Sequence, residues 1–298
     1  MNLQKFGGAW TEQKLKALEK YIKAYLQIFT RNPKAQHFTR HYVDAFAGSG
    51  LRAASESQPL PLWSDSDDTS PSGEALSFMD GSVRKVLGLE EKFHHYWFVE
   101  TNSRYADELR SMIDREFPQQ AGQCHIETTD ANQFLLKWAR TLGPGDRAVV
   151  FLDPYGMEVK WEAVRQLAKT RKVDLWMLFP SSSVIRMLPR QGPPEEAWDH
   201  RLTEFFGTNS WREHFYPPSA PQGELFPDEP GVARDVSTER VAEYMLNRLR
   251  EEFEQVVDKP LVLYNSRRSP LFMLLFAAGN PKGAGPAMRI AQHIIETG

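Results

Sequence analysis

Apolar residues near the start of the chain recur at helical steps. Leu15, Leu18, Tyr21, Ile22, Tyr25, Leu26 and Phe29 lie three and four residues apart, which predicts an amphipathic helix opened by Thr11 and ended at Asn32-Pro33. Beyond it the pattern becomes one of short apolar runs alternating with helical stretches. His41-Tyr42-Val43 predicts a first strand, Glu74 to Leu89 a helix, and His95 to Glu100 a second strand. Ser103 to Phe117 predicts a helix with Leu109, Met112 and Ile113 on one face. Cys124 to Glu127 reads as a third strand, and Asp130 opens a helix through Phe134, Leu135 and Trp138. Ala148 to Leu152 predicts a fourth strand, Trp161 to Ala168 a helix, and Asp174 to Phe179 a fifth strand stopped by Pro180. Thr238 to Phe253 and Met288 to Ile295 read as helices. Between them, Val262 to Asn265 and Leu271 to Ala278 flank Ser266-Arg267-Arg268-Ser269-Pro270 as a terminal hairpin.

Strand alternating with helix implies an α/β fold with a doubly wound, mostly parallel sheet, here closed by an antiparallel hairpin and carrying a helical insert. The expected organisation is a single domain over residues 1–298, with 1–35 as an N-terminal helical extension. Residues 55–73 lack periodicity and are rich in Pro, Ser and Asp, which predicts a mobile loop, either a lid over the neighbouring turn or an insertion without consequence. Residues 188–235, broken by several prolines, predict a helical and irregular insert.

Composition narrows the classes. A chain of 298 residues, 41% hydrophobic and 25% charged, has the makeup of a globular protein that can bury a core. Its formal charge of -3 gives no global pull toward nucleic acid or anionic lipid, which weakens the case for a polynucleotide substrate without removing it. A single cysteine, Cys124, excludes an internal disulfide framework and a cysteine-rich metal site, and reads as a buried structural thiol. His94, His95 and His125 lack zinc-ligand spacing with a cysteine pair, so no metal is expected. No run of about 18 apolar residues predicts a membrane span, and no apolar leader opens the chain, so a cytoplasmic location is expected.

Two segments carry chemistry. Asp44-Ala45-Phe46-Ala47-Gly48-Ser49-Gly50 follows the first strand, and its glycines permit positive φ and close approach of a ligand to the main chain. An acid at the strand end does not suit a phosphate, and no Gly-Lys-Ser/Thr follows, so the turn is not a P-loop. It suits a cationic ligand such as S-adenosyl-L-methionine (SAM), which bears a sulfonium and an ammonium. Four acids fall at successive strand ends: Asp44, Glu100, Asp130 and Asp153. Taken singly, each is a cap or a solvated terminus. As an ordered set they predict a cofactor site of Asp44, Ala45, Phe46, Gly48, Gly50, Glu100, Thr101, Asp130 and Ala131, with Glu100 on the ribose hydroxyls and Asp130-Ala131 on the adenine.

The second segment, Asp153-Pro154-Tyr155-Gly156, ends the fourth strand. A carboxylate and a backbone carbonyl there can accept hydrogen bonds from an exocyclic NH2 and aim its lone pair at a methyl donor. Tyr155 offers a face for a planar base. Asp153, Pro154 and Tyr155 are therefore the expected catalytic residues. Gly156, Arg186 and Arg190 are the expected substrate contacts, the two arginines meeting phosphate if the acceptor is RNA or DNA.

These pieces in this order resemble the three-Cys-motif partner proteins (TcmP). The resemblance is carried by the Trp10-Thr11 helix, the Asp44–Gly50 turn, Ser72-Gly73-Glu74-Ala75-Leu76 and Phe98-Val99-Glu100-Thr101-Asn102. Asp130-Ala131-Asn132, Phe151 to Gly156, and Leu178-Phe179-Pro180 with Arg186 complete it. It implies a class I methyltransferase-like fold and a companion radical-SAM-like iron–sulfur protein bearing the three cysteines. The turn here reads Ala-Gly-Ser-Gly where the family often has a proline before the second glycine, and the 55–73 loop is longer than usual. Asp-Pro-Tyr-Gly also resembles the corresponding motif of tRNA guanine-amine methyltransferases. Two functions are expected from different classes: a SAM-dependent methyltransferase acting on a nucleic-acid base, or a SAM-binding accessory subunit of that companion. A methyltransferase for a protein or small molecule is the third.

Overall fold

The computed structural model describes residues 9–48, 81–154, 156–190, 194–217 and 234–297. Gly50, Tyr155, the 55–73 loop and the Ser72–Leu76 segment lie outside the described residues.

The apolar runs form one sheet. Its strands are β1 (Thr39–Asp44), β2 (His95–Val99), β3 (Cys124–Glu127), β4 (Asp146–Leu152), β5 (Val173–Phe179), β6 (Gln255–Val256), β7 (Leu261–Tyr264) and β8 (Pro270–Ala278). The order is β3-β2-β1-β4-β5-β8-β6, with β7 also on β8. The first five strands are parallel, and β8 runs antiparallel to β5, β6 and β7. This is the doubly wound α/β sheet with the antiparallel close expected of a class I methyltransferase-like fold. β5 is buried at every position, as a strand covered on both faces must be.

The helices are α1 (Ala9–Arg31), α2 (helical over 81–87), α3 (Ser103–Glu116), α4 (Ala131–Trp138), α5 (Trp161–Lys169), α6 (Ser181–Met187), α7 (Glu196–Phe206), α8 (Trp211–Phe215), α9 (Thr238–Arg250) and α10 (Ala284–Thr297). α1 lies against one sheet face. Tyr21 packs on Trp176 and Phe276, Tyr25 on Phe93, and Trp10 stacks on Phe272 with ring centroids 5.0 Å apart. Tyr21 meets Asp174 near the start of β5, so α1 runs against the strands and brings its first turns to their carboxyl ends. On the opposite face Phe134 and Trp138 of α4 pack on Trp97 and His41.

Three elements depart from the sequence reading. α10 begins at Ala284 rather than Met288, because Pro286 falls in the first turn, where its missing N–H costs nothing. α6 was not expected: its Ser181-Ser182-Ser183 start is a weak helix former, held by Ser183 and Val184 N–H donors to the Pro180 carbonyl. The two-residue β6 is too short to show any period.

Candidate active site

The strand order reverses between β1 and β4, and in such sheets ligands bind outside the carboxyl ends at that crevice. Asp44 ends β1, and Asp153 directly follows β4 beside it. The turn after β1 is tied to both neighbours. The Ala45 N–H donates to the Phe151 carbonyl at 3.2 Å, and the Ala47 N–H to Val99 at 2.9 Å. Gly48 then takes φ 58°, the left-handed conformation that glycine adopts without strain. Phe46 is half-buried, and its N–H donates to Asp44 Oδ1 at 3.3 Å.

Asp44 is 1% exposed and accepts a hydrogen bond from Ser82 Oγ of α2 at 2.9 Å. Burial, with the Asp153 charge adding to it, pushes its carboxyl up to about 7. Asp153 is 8% exposed, and burial likewise raises it, against the pull of a lysine.

That lysine is Lys14 of α1, which the motif reading missed. Its ammonium donates to Asp153 Oδ1 at 2.8 Å and to Oδ2 at 2.9 Å, across 139 residues of chain, and is itself 1% exposed. Burial pulls it down to about 8, with Asp153 and Asp44 opposing. The rings of Trp10 and Phe151 lie 5.2 and 6.0 Å from the Lys14 nitrogen. A signal existed in the sequence: Lys14 occupies the buried stripe of α1, four residues before Leu18 and seven before Tyr21. A charged residue on an apolar stripe asks for a buried counter-charge.

The cluster holds two carboxyl groups and one ammonium; with both acids ionised it carries one negative charge in excess, and burial disfavours that charge until a cation matches it. Two hydroxyls beside it are unmatched. Tyr42, whose ionisation is raised well above the ordinary tyrosine value by burial and then by Asp44 and Asp153, has no hydrogen-bond partner among the described residues. Thr11 Oγ1, one turn before Lys14, has none there either. Unbalanced charge and unmatched hydroxyls fit a ligand that is cationic and polar, as SAM is.

The remaining predicted residues lie around this centre. Glu100 is half-buried at the end of β2, and its Oε1 accepts from the Asn102 N–H at 2.8 Å and from Thr101 Oγ1 at 3.4 Å, Thr101 being exposed. Asp130 is exposed and caps α4, accepting from the Gln133 N–H at 2.9 Å, with Ala131 buried next to it. Each carboxylate still has lone pairs to offer a ligand. Asn132, part of the Asp130-Ala131-Asn132 segment, was given no role by sequence. It donates to the Glu158 carbonyl at 2.9 Å and accepts from the Lys160 N–H at 2.8 Å, which fixes the segment after Pro154 and Gly156 against α4. Arg186 and Arg190 follow β5 on the same side of the sheet and are exposed; Arg186 donates to Ser183 Oγ at 3.4 Å.

No family model matches the sequence, and no curated protein is similar to it. Several solved structures are distantly similar to it. A Legionella pneumophila protein of the DUF519 family, LPL1258, is 12% identical, with 99% of this chain and 93% of that one covered at a TM-score of 0.43. The methyltransferase domain of bacterial CtHen1-C is 11% identical over 87% of this chain and 99% of that one, TM-score 0.38. Spermidine synthase from Thermotoga maritima is 8% identical over 92% and 60%, TM-score 0.38.

Proposed function

We propose that this protein is a SAM-dependent methyltransferase whose acceptor is the exocyclic amine of a nucleic-acid base. The observation that carries the reading is the pair of buried acids, Asp44 and Asp153, at the strand-order reversal, which against Lys14 carry one negative charge in excess when both are ionised. SAM supplies, when bound, an electrophilic methyl group on a cationic sulfur. In this reading Asp44 faces the cationic end of the cofactor, the Ala45–Gly48 turn leaves room for it, and Glu100 and Asp130 receive the nucleoside. Asp153, oriented by Lys14, accepts an N–H of the acceptor amine through a lone pair that Lys14 leaves over, and the Pro154 carbonyl accepts the other. Positioning of that kind accounts for much of the rate in methyl transfer between neutral and cationic groups. Tyr155 would stack on the base, and Arg186 and Arg190 would meet its phosphates.

The deciding experiment has two stages. Calorimetric titration of the purified chain with SAM should give binding that Asp44→Ala abolishes. Incubation with methyl-tritiated SAM and total RNA or DNA should then label one of them, and Asp153→Ala should abolish labelling while SAM still binds. Equal loss of binding and labelling in Asp153→Ala would refute the division of roles.

One observation favours a second reading. Lys14 occupies both oxygens of Asp153, which is also what a site retired from methyl transfer would show. The chain would then be a SAM-binding accessory subunit for a three-cysteine radical-SAM-like protein, as the TcmP resemblance suggests. Turnover by the isolated chain would eliminate it.

A further inference from the structure

The Lys14–Asp153 pair has a consequence for which amines this site can accept. Among the described residues Asp153 is the one carboxylate assigned to the proposed acceptor seat, and its charge is already cancelled by an ammonium on both oxygens. The other acid of the centre, Asp44, stands at the glycine turn, engaged by Ser82 and the Phe46 N–H, where it answers the cationic cofactor. Once that charge is matched, Asp44, Asp153 and Lys14 together leave no net negative charge for an acceptor. A second ammonium brought to Asp153 would meet Lys14 in a volume walled by Trp10 and Phe151, where water does little to screen like charges. An uncharged NH2 meets no such barrier. A carboxylate has about four lone-pair sites, of which Lys14 takes one on each oxygen, and the Tyr42 and Thr11 hydroxyls can pair with neutral polar groups.

We propose that Lys14 is a specificity residue: its ammonium fills the place where Asp153 would hold a cationic amine, so the site takes uncharged amines and turns away polyamines and lysine side chains. The proposal rests on the SAM-site reading and narrows its acceptor class. It also makes α1 part of the site rather than an appendage to it.

The test needs no acceptor, because three cofactor-shaped probes differ only at the transfer centre. SAM carries a methylated sulfonium, S-adenosylhomocysteine a neutral sulfur, and sinefungin an ammonium-bearing carbon where the methyl stands. Calorimetry on the full chain should show sinefungin binding at least about tenfold more weakly than S-adenosylhomocysteine, because its ammonium faces Lys14. Lys14→Met should reverse that order, the unpaired Asp153 now taking the ammonium, and adding Asp153→Asn to it should remove the new preference. Lys14→Arg should keep the wild-type order. Sinefungin binding wild-type protein more tightly than S-adenosylhomocysteine would overturn the proposal. So would a Lys14→Met protein in which all three affinities change by one common factor, the mark of a purely structural lysine. If Lys14→Met does not fold, the orders in wild-type and Lys14→Arg protein decide by themselves. Failure of SAM and S-adenosylhomocysteine alike to bind folded wild-type protein would instead overturn the SAM-site reading, and this proposal with it.

Discussion

Asp174 should make this protein less stable as pH rises from about 4 to about 7, and Asp174→Asn should remove the effect. The side chain sits near the start of β5, 7% exposed, beneath α1, where the Tyr21 hydroxyl donates to its Oδ2 at 2.7 Å. Burial pushes the carboxyl up to about 7 from an ordinary 3.8, against the Tyr21 hydrogen bond and the Arg147 charge. The folded-state value lies above the unfolded one. Between pH 4 and 7 the folded chain therefore keeps a proton that the unfolded chain has lost. Stability is full below the unfolded value, falls as pH rises, and levels off above the folded value. At about 1.4 kcal/mol per unit, a rise from 3.8 to about 7 makes the total cost about 4 kcal/mol.

Asparagine has the shape of the protonated acid and no charge to desolvate. Its Oδ1 can still accept from Tyr21, and its NH2 can reach the neighbouring Tyr25 hydroxyl, which is buried without a partner among the described residues. Urea unfolding followed by tryptophan fluorescence from pH 4.5 to 8.5 should find Asp174→Asn near wild type at the acid end. Its advantage should grow with pH and reach a plateau of up to about 4 kcal/mol above pH 7. A difference that stays constant across the range would refute the reasoning, since a packing effect has no reason to follow a proton.

The other predictions follow from single residues. SAM affinity should rise as pH approaches 7, by up to about tenfold per unit, because the cofactor's charge favours ionised Asp44 and burial holds that acid up to about 7; calorimetry should find Asp44→Asn weak and flat with pH. Gly207→Ala should cost about 3 kcal/mol or more, read as a drop in melting temperature, because φ is +68° and a Cβ would stand 2.2 Å from the Trp161 ring. Cys124 is half-buried rather than the buried thiol that sequence predicts, yet partial burial pushes it up to about 12, so it should react with a thiol reagent at pH 8 far more slowly in the native protein than after denaturation; comparable rates would contradict that shielding.

Much of the architecture was legible because period and punctuation agreed. The Asn102 side chain caps α3 and Asp130 caps α4 where the apolar period begins, so both helix starts could be read from sequence. The pair Asp44 and Asp153 was legible too, because a doubly wound order brings the ends of β1 and β4 together whatever lies between them. What the chain hid is how those acids are neutralised. Lys14 lies 139 residues from Asp153, in a helix whose other stripe positions are apolar or hydroxyl-bearing, and local spacing does not link a helix residue to a distant strand end. Yet the anomaly was there to be read. Lysine on a buried stripe is costly unless an acid meets it, and the same holds for Asp174, an acid inside an otherwise apolar strand. The structure settles the two differently: Lys14 finds an acid across the sheet face, whereas Asp174 finds the Tyr21 hydroxyl and a raised proton affinity. Lys14 and Tyr21 both lie on α1. The helix that sequence reads as an extension is thus where two buried acids of the sheet, Asp153 and Asp174, are answered. Deleting it should cost the fold and the site together rather than either alone.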